Sequence, residues 1–381
     1  MKKIIEYQPK YKQIKEILKE RIIKGKYAEG TKMPSENQLV KEFGVSKHTI
    51  LKALTELINE NYIYRIQGKG TFVCESKKRK KNKIAIIVYH SENIYFSKII
   101  RGAEDYAKSN NYHLILCNSV GDYEKETSYI NSLINEVDGF LISCVYLENK
   151  ISSGLSFLIK NKFPFVFISH IPEIKNIKKF DFVIPDNFGG FYNLTKHLII
   201  NGYKNFIFLS IKNGFKRTEI KQRYEAFKKA LKESKIKEDN WIVIETTDND
   251  AMSGYIGDGY AICDELIKHI NKEKLCIMCV GDGLAIGVLN GLRKKGIKIP
   301  EEVGVTGFDD IDILNKWGTE LTTVATPLYE MGKEGARILI NRIENPKHKK
   351  TQVILPVELK IRGTTLTNKK LEKKDKKEVL L

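Results

Sequence analysis

From Lys83 onward, short apolar runs alternate with longer amphipathic stretches, and this alternation most restricts the fold. The runs cover residues 84–89, 113–117, 139–145, 164–169, 182–184, 206–211, 241–245, 275–280 and 303–307. Between them, apolar residues at helical spacing predict helices over 97–109, 192–201, 222–234, 260–270, 284–295 and 329–343. Apolar strands separated by helices belong in parallel sheets covered on both faces. Nine strands within residues 83–366 fit two doubly wound lobes better than one. Ligands of such sheets sit beyond the carboxyl ends of the strands. Tyr89, His90, Asn118, Ser143, Ser169, His170, Asp186, Asp282 and Asp309 stand at those ends.

The first 76 residues follow another rule. Residues 11–24 read as an amphipathic helix with Ile14, Ile17, Leu18 and Ile22 on one face, followed by a breaker stretch to Pro34. Ser35 caps a second helix carrying Leu39, Val40 and Phe43. Gly44-Val45 makes a tight turn, and Ser46 caps a third helix. Ile50, Leu54, Leu57 and Ile58 face inward from it, while Lys47, His48, Thr49 and Lys52 face out. This is a helix-turn-helix pattern, in which the first turn of the second helix meets base edges. Residues 62–66 and 71–73 then form a hairpin around Gln67-Gly68-Lys69-Gly70, a basic wing beside the helices.

Charge follows the same division. The 381-residue chain carries +18. Residues 1–82 hold 20 Lys+Arg against 9 Asp+Glu; residues 83–366 hold 39 against 35; residues 367–381 hold 6 against 3. An anionic partner is therefore expected for the head and an uncharged ligand for the core. The expected domains are 1–76, a basic linker at 77–82 containing the run Lys77-Lys78-Arg79-Lys80-Lys81, a core at 83–366 and a charged, frayed tail at 367–381.

Residues 11–73 resemble the winged-helix domain of GntR-family transcription regulators. The resemblance rests on Gly30-Thr31-Lys32-Met33-Pro34-Ser35-Glu36, Val45-Ser46-Lys47-His48-Thr49-Ile50 and Gln67-Gly68-Lys69-Gly70-Thr71-Phe72-Val73. It implies DNA contacts from Asn37, Lys47, His48, Thr49 and Gly68. Ser35, Glu36, Ser46, Lys52, Arg65, Gln67 and Lys69 complete the candidate DNA-binding surface, with Glu36 read as a carboxylate that orients a neighbouring cation. Many members have Arg where this chain has Leu51, and Lys52 is expected to cover part of that loss.

Residues 83–365 are similar to LacI-type effector domains, themselves similar to periplasmic sugar-binding proteins. The matching segments are Asp186-Asn187-Phe188-Gly189-Gly190, Arg223-Tyr224-Glu225-Ala226-Phe227, Val280-Gly281-Asp282-Gly283-Leu284-Ala285-Ile286-Gly287, Gly307-Phe308-Asp309-Asp310 and Leu321-Thr322-Thr323. The resemblance implies that Asp186, Arg223 and Asp309 hydrogen-bond sugar hydroxyls across a cleft. Tyr89, Tyr95, Phe96, Ser143, His170, Asp282 and Trp317 are the further effector-binding candidates, and Arg223 is read as opening a helix. Gly281 stands where the family has Asn, and Glu225-Ala226 alters the pattern after Tyr224.

The expected fold is thus α/β: an N-terminal winged helix-turn-helix followed by a two-lobed, doubly wound parallel-sheet domain of periplasmic-binding-protein-like type I. A GntR head on a LacI-type core resembles bacterial arabinose repressors. That implies a homodimer on double-stranded operator DNA, released by L-arabinose or a related small sugar, with helices 97–109 and 329–343 at the dimer face. The alternatives are a regulator of another sugar or small metabolite, a sugar receptor without gene regulation, and an α/β enzyme with an appended DNA-binding domain.

Enzymatic and cofactor chemistry is not expected. Cys276 and Cys279 lie inside an apolar run without a second pair, so buried strand cysteines are favoured over a metal site. Gly281, Gly283 and Gly287 lack dinucleotide-loop spacing and sit late in the chain. Neither a P-loop nor a nucleophile elbow occurs, and six cysteines are too sparse for a disulfide framework. The start has no apolar stretch of signal-peptide length and no later run nears 18 residues, so a cytoplasmic protein without membrane association is expected.

Overall fold

The computed structural model describes residues 9–74, 81–145, 150–174, 176–247, 254–270, 273–312 and 319–366. Residues 77–80 of the predicted linker 77–82, the tail 367–381 and Trp317 lie outside these residues. The chain divides into two compact units, 1–82 and 83–381.

In the first unit α1 (Lys10–Ile23), α2 (Glu36–Phe43) and α3 (Lys47–Asn59) precede the antiparallel strands β1 (Ile63–Ile66) and β2 (Gly70–Val73). The Ser35 hydroxyl and Gln38 side chain form a reciprocal capping box at α2. Ser46 accepts from Thr49 N at the start of α3 (3.3 Å). Between the two helices Gly44 takes φ +62, a left-handed turn that a side chain would strain. On α3, Ile50, Ala53, Leu54 and Leu57 recur at i, i+3, i+4 and i+7, and bury against Ile14, Leu18 and Ile22 of α1 and Met33, Leu39, Ile63 and Val73. Truncating such a core leucine to alanine costs about 2–5 kcal/mol.

The second unit holds two parallel sheets. The first runs β4 (His113–Asn118), β3 (Lys83–Val88), β5 (Gly139–Ile142), β6 (Phe165–Ile168), β7 (Phe182–Pro185), β13 (Gln352–Leu355). The second runs β9 (Trp241–Glu245), β8 (Asn205–Ser210), β10 (Leu275–Cys279), β11 (Val303–Thr306). A short antiparallel pair, β12 (Thr323–Ala325) and β14 (Glu358–Lys360), joins the second lobe. Helices α4 (Ile94–Ser109), α5 (Tyr123–Leu133) and α6 (Ser153–Lys160) belong to the first lobe. The second holds α7 (Asn187–Ile200), α8 (Thr218–Glu233), α9 (Ile256–Ala261), α10 (Cys263–Ile267) and α11 (Asp282–Lys294). Helix α12 (Leu328–Glu344) returns to the first lobe. The chain therefore crosses between lobes three times, after β7, between β12 and α12, and between β13 and β14.

All nine strands expected from the apolar runs are present. The predicted helix at 260–270 is instead two short helices, α9 and α10. Helix α8 begins at Thr218, so Arg223 lies in its second turn and does not open it. Helices α4 and α12 pack on each other at glycines: a Cβ on Gly102 would stand 2.0 Å from Tyr329 O, and one on Gly332 1.9 Å from Ile99 O. Gly283 and Gly287 have the same use, with would-be Cβ atoms 1.9 Å from Gly254 O and 2.1 Å from Ile256 O. Cys276 and Cys279 are fully buried on β10, where burial pushes both thiols up. Among the described residues no helix is long and apolar enough to cross a membrane.

Candidate functional site

In the first unit, capping leaves the N-terminal face of α3 open: Lys47 and His48 are exposed, as are Asn37 on α2 and Gln67, Gly68 and Lys69 at the hairpin tip. Ser35 and Ser46 have their hydroxyls committed to the caps. Thr49 adds a hydroxyl contact to Ser46 (2.9 Å). Glu36 accepts from Arg65 Nη2 at 2.6 Å and lies 3.5 Å from Lys47 Nζ, so its carboxylate joins α2, α3 and the wing. Lys52 Nζ sits 4.2 Å from the centre of the Tyr11 ring.

In the second unit a cavity of about 210 Å³ lies between the lobes at the carboxyl ends of both sheets. Its lining includes the predicted residues Tyr89, Tyr95, Phe96, His170, Arg223, Asp282 and Asp309. Arg223 is buried, with Nε and Nη2 donating to Asn187 Oδ1 (3.0 and 2.8 Å), Nη1 donating to Val280 O, and the guanidinium 3.7 Å from the Phe308 ring centre. Its Nη2 stands 3.6 Å from Asp309 Oδ1, an oxygen without a hydrogen-bond partner among the described residues. Burial pushes the Asp309 carboxyl up to about 7, and Arg223 opposes that rise. Asp309 has φ +115, Ser169 +66 and Tyr255 +70; backbone strain of this kind gathers at functional sites.

From the first lobe, the Tyr95 hydroxyl meets Ser169 Oγ at 2.8 Å, and its ring stacks on His170. His170 Nδ1 lies 3.0 Å from Ser143 Oγ, and Nε2 lies 3.6 Å from Glu219 Oε1 of the second lobe. Burial holds the imidazole down at about 4; Glu219 pulls the other way, while Arg217 and Arg223 add to the lowering. The lobes meet over the cavity. Arg217 reaches the Tyr89 ring (5.3 Å), Thr218 Oγ1 donates to Ile171 O (3.1 Å), and Lys221–Glu173 and Lys98–Asp312 form ion pairs. This is a closed cleft.

Three expectations need correction or placement. Asp186 does not line the cavity; its carboxylate accepts from Gly189 N (2.8 Å) and caps α7, because a strand-to-helix junction leaves amides there to satisfy. Its neighbour Asn187 takes the place at the cavity. Ser143 is fully buried behind His170 and acts on the cavity through it. Asp282 is turned to its own lobe, accepting from Thr323 Oγ1 (2.5 Å) and Ile311 N (3.0 Å); burial, with Asp309 nearby, pushes it well above the usual carboxylate range. Sequence reasoning missed Asn187, Arg217, Glu219 and Tyr255. Arg217 and Glu219 lie ahead of the predicted helix start at 222, and with α8 beginning at Thr218 the spacing of Glu219 and Arg223, i and i+4 on one helix, is the signal that could have found them.

The family model of bacterial regulatory proteins, gntR family, matches residues 10–73, and that of the periplasmic binding protein-like domain matches 195–365. An arabinose metabolism transcriptional repressor of Halalkalibacterium halodurans is 29% identical over 353 residues, covering 89% of this chain and 91% of that protein. An HTH-type transcriptional repressor PurR of Vibrio atlanticus is 32% identical over 335 residues, covering 81% and 96%. Among solved structures, a LacI family transcriptional regulator from Enterococcus faecium with bound ribose superposes with a TM-score of 0.64 at 28% identity, covering 75% of this chain and all of that one.

Proposed function

The chain belongs to the gntR family of bacterial transcription regulators, in the group that carries a periplasmic-binding-protein-like domain behind the winged helix, and from that membership we propose that it represses sugar-utilisation genes and is released from its operator by L-arabinose. It is a regulator and not an enzyme. The observation that carries the effector reading is the buried Asp309 Oδ1, without a hydrogen-bond partner among the described residues, opposite Arg223 in a closed, aromatic-walled cavity. A vicinal diol fits that pair: one hydroxyl donates to the carboxylate and another accepts from the guanidinium. The lining sets Arg217 and Arg223 against four acidic residues, Glu92, Glu219, Asp282 and Asp309, a surplus of acids that favours a neutral ligand over an anionic one. The volume is below the roughly 300–1,000 Å³ of drug-sized sites, which favours a monosaccharide. The ribose-bound relative supports a pentose, and the arabinose repressors support L-arabinose among pentoses.

The protein acts in the cytoplasm as a homodimer, with α4 and α12 toward the partner. Sugar binds the closed lobes better than the open ones and so shifts the spacing of two winged helices. The test is titration of the promoter complex with L-arabinose, D-ribose, D-xylose and hexoses. L-Arabinose weakens DNA binding at the lowest concentration; if no sugar alters operator binding, the effector reading is lost. A thermal-shift series supports it independently, since ligand at 100 times its Kd adds about 2.7 kcal/mol.

A further inference from the structure

The DNA-facing surface of the first unit contains an acid where phosphate repulsion would disfavour one. Most other carboxylates of this unit pair elsewhere: Glu42 with Arg21, Glu60 with Lys15 and Lys19, Glu20 with Lys24. Glu36 instead sits at the first turn of α2, with one oxygen on Arg65 Nη2 (2.6 Å) and the other facing Lys47 at the start of α3 (3.5 Å). Its side chain is only 27% exposed, while those of Arg65 and Lys47 are 46% and 62% exposed.

Arginine supply sharpens the point. The described residues of this unit contain two arginines, Arg21 and Arg65. Arg21 is occupied by Glu42 and Tyr27 and lies over the Phe43 ring. Arg65 thus remains as the guanidinium beside the exposed end of α3. A guanidinium has five N–H donors. One, on Nη2, is on Glu36, which restrains the guanidinium and leaves its other N–H groups for a ligand. Two parallel donors in a fixed plane match the O6 and N7 acceptors of guanine, the pairing that separates G·C from the other base pairs in the major groove.

We propose that Arg65 reads a guanine in the operator half-site and that Glu36 is a positioning residue that holds Arg65 and touches no base. The proposal rests on the operator-binding reading above. It is tested with the full-length chain and its R65A, R65K and E36Q variants, each selecting from a pool of duplexes with a randomised window at one salt concentration. The wild type enriches a motif containing a guanine. R65A loses about 10- to 100-fold discrimination at that one base pair, from the 1–3 kcal/mol typical of a bidentate contact, and keeps the others. R65K retains overall affinity without that discrimination, since an ammonium cannot form the fork. E36Q weakens the preference at the same base pair.

Uniform loss of affinity across all sequences in R65A makes Arg65 a phosphate contact and overturns the proposal. A change at a different base pair in E36Q makes Glu36 a base reader and also overturns it. A wild type that enriches no sequence overturns the operator reading itself, a different result from a wild-type motif that R65A leaves intact. R65K provides a charge-conserving variant should R65A melt early.

Discussion

Replacing Arg223 by Met keeps the bulk beside Phe308 and removes the charge facing Asp309. Two costs follow, and pH separates them. The first is independent of pH over the neutral range: the donated bonds to Asn187 Oδ1 and Val280 O are lost. At about 0.5–1.5 kcal/mol each, they amount to roughly 2–4 kcal/mol. The second is electrostatic. At 3.6 Å and an effective dielectric near 20, Arg223 favours the Asp309 carboxylate by about 4–5 kcal/mol. The variant escapes most of that by keeping Asp309 protonated. With the wild-type carboxyl at about 7, escape is nearly costless at pH 7. At pH 9 it costs about 1.4 kcal/mol per pH unit, about 2.7 kcal/mol in all. The smaller figure governs, so the destabilisation should grow by about 2–3 kcal/mol from pH 7 to pH 9. Both tryptophans of the chain, Trp241 and Trp317, are in the second unit, so urea unfolding followed by tryptophan fluorescence reads this unit alone. Adding D309N to R223M should abolish the increment. An equal cost at both pH values would refute the claim that Arg223 acts on Asp309.

Three further outcomes are expected. Hydroxyl donors favour the charged Asp309, so isothermal titration should show sugar affinity rising from pH 6 to pH 8 and a flat profile in D309N; without ligand, Asp309 makes the unit lose stability as pH rises from about 4 to about 7. His170, held down near 4, has the opposite sign, and H170Q should lessen the loss of stability as pH falls from 6.5 toward 4. G332V should lower the melting temperature strongly, because its Cβ meets the Ile99 carbonyl of α4 at 1.9 Å and overpacking costs about 1–3 kcal/mol or more; a variant that melts within a degree of wild type would show that α4 and α12 can separate cheaply.

The parts of the fold legible in the sequence are those whose burial is complete. Strands such as β5 and β10 are buried on both faces and read as unbroken apolar runs. Strand β13 was missed because it is a sheet edge with alternating exposure, and β12 and β14 because three residues carry no period. Helix α5 escaped notice because a buried acid, Glu126, occupies its inner face, receiving Ser152 Oγ (2.5 Å) and Val145 N (3.2 Å). In the site, Asp309 was legible because it ends a strand. Asp186 ends one too, yet caps a helix, and strand-end position alone does not separate the two uses. Arg217, Glu219 and Tyr255 all belong to the second lobe, and Arg217 and Glu219 meet Tyr89 and His170 of the first lobe only across the cleft, an arrangement that no local pattern records.

The three passages of chain between the lobes bear on how the molecule is made. The first lobe is interrupted in sequence: β13 and α12, which complete its sheet and cover it, are separated from β7 by all of the second lobe except β14. On a ribosome, the segment ending at β7 emerges first, with one sheet edge unpaired and the α12 surface bare. Nearly 170 further residues must be synthesised before Leu355 closes that edge. The second lobe's four-stranded sheet can pair as soon as β11 appears. The nascent protein thus holds an unfinished shell open around a domain that matures inside it, and the exposed edge of β7 is where chaperone binding or premature association between chains would concentrate.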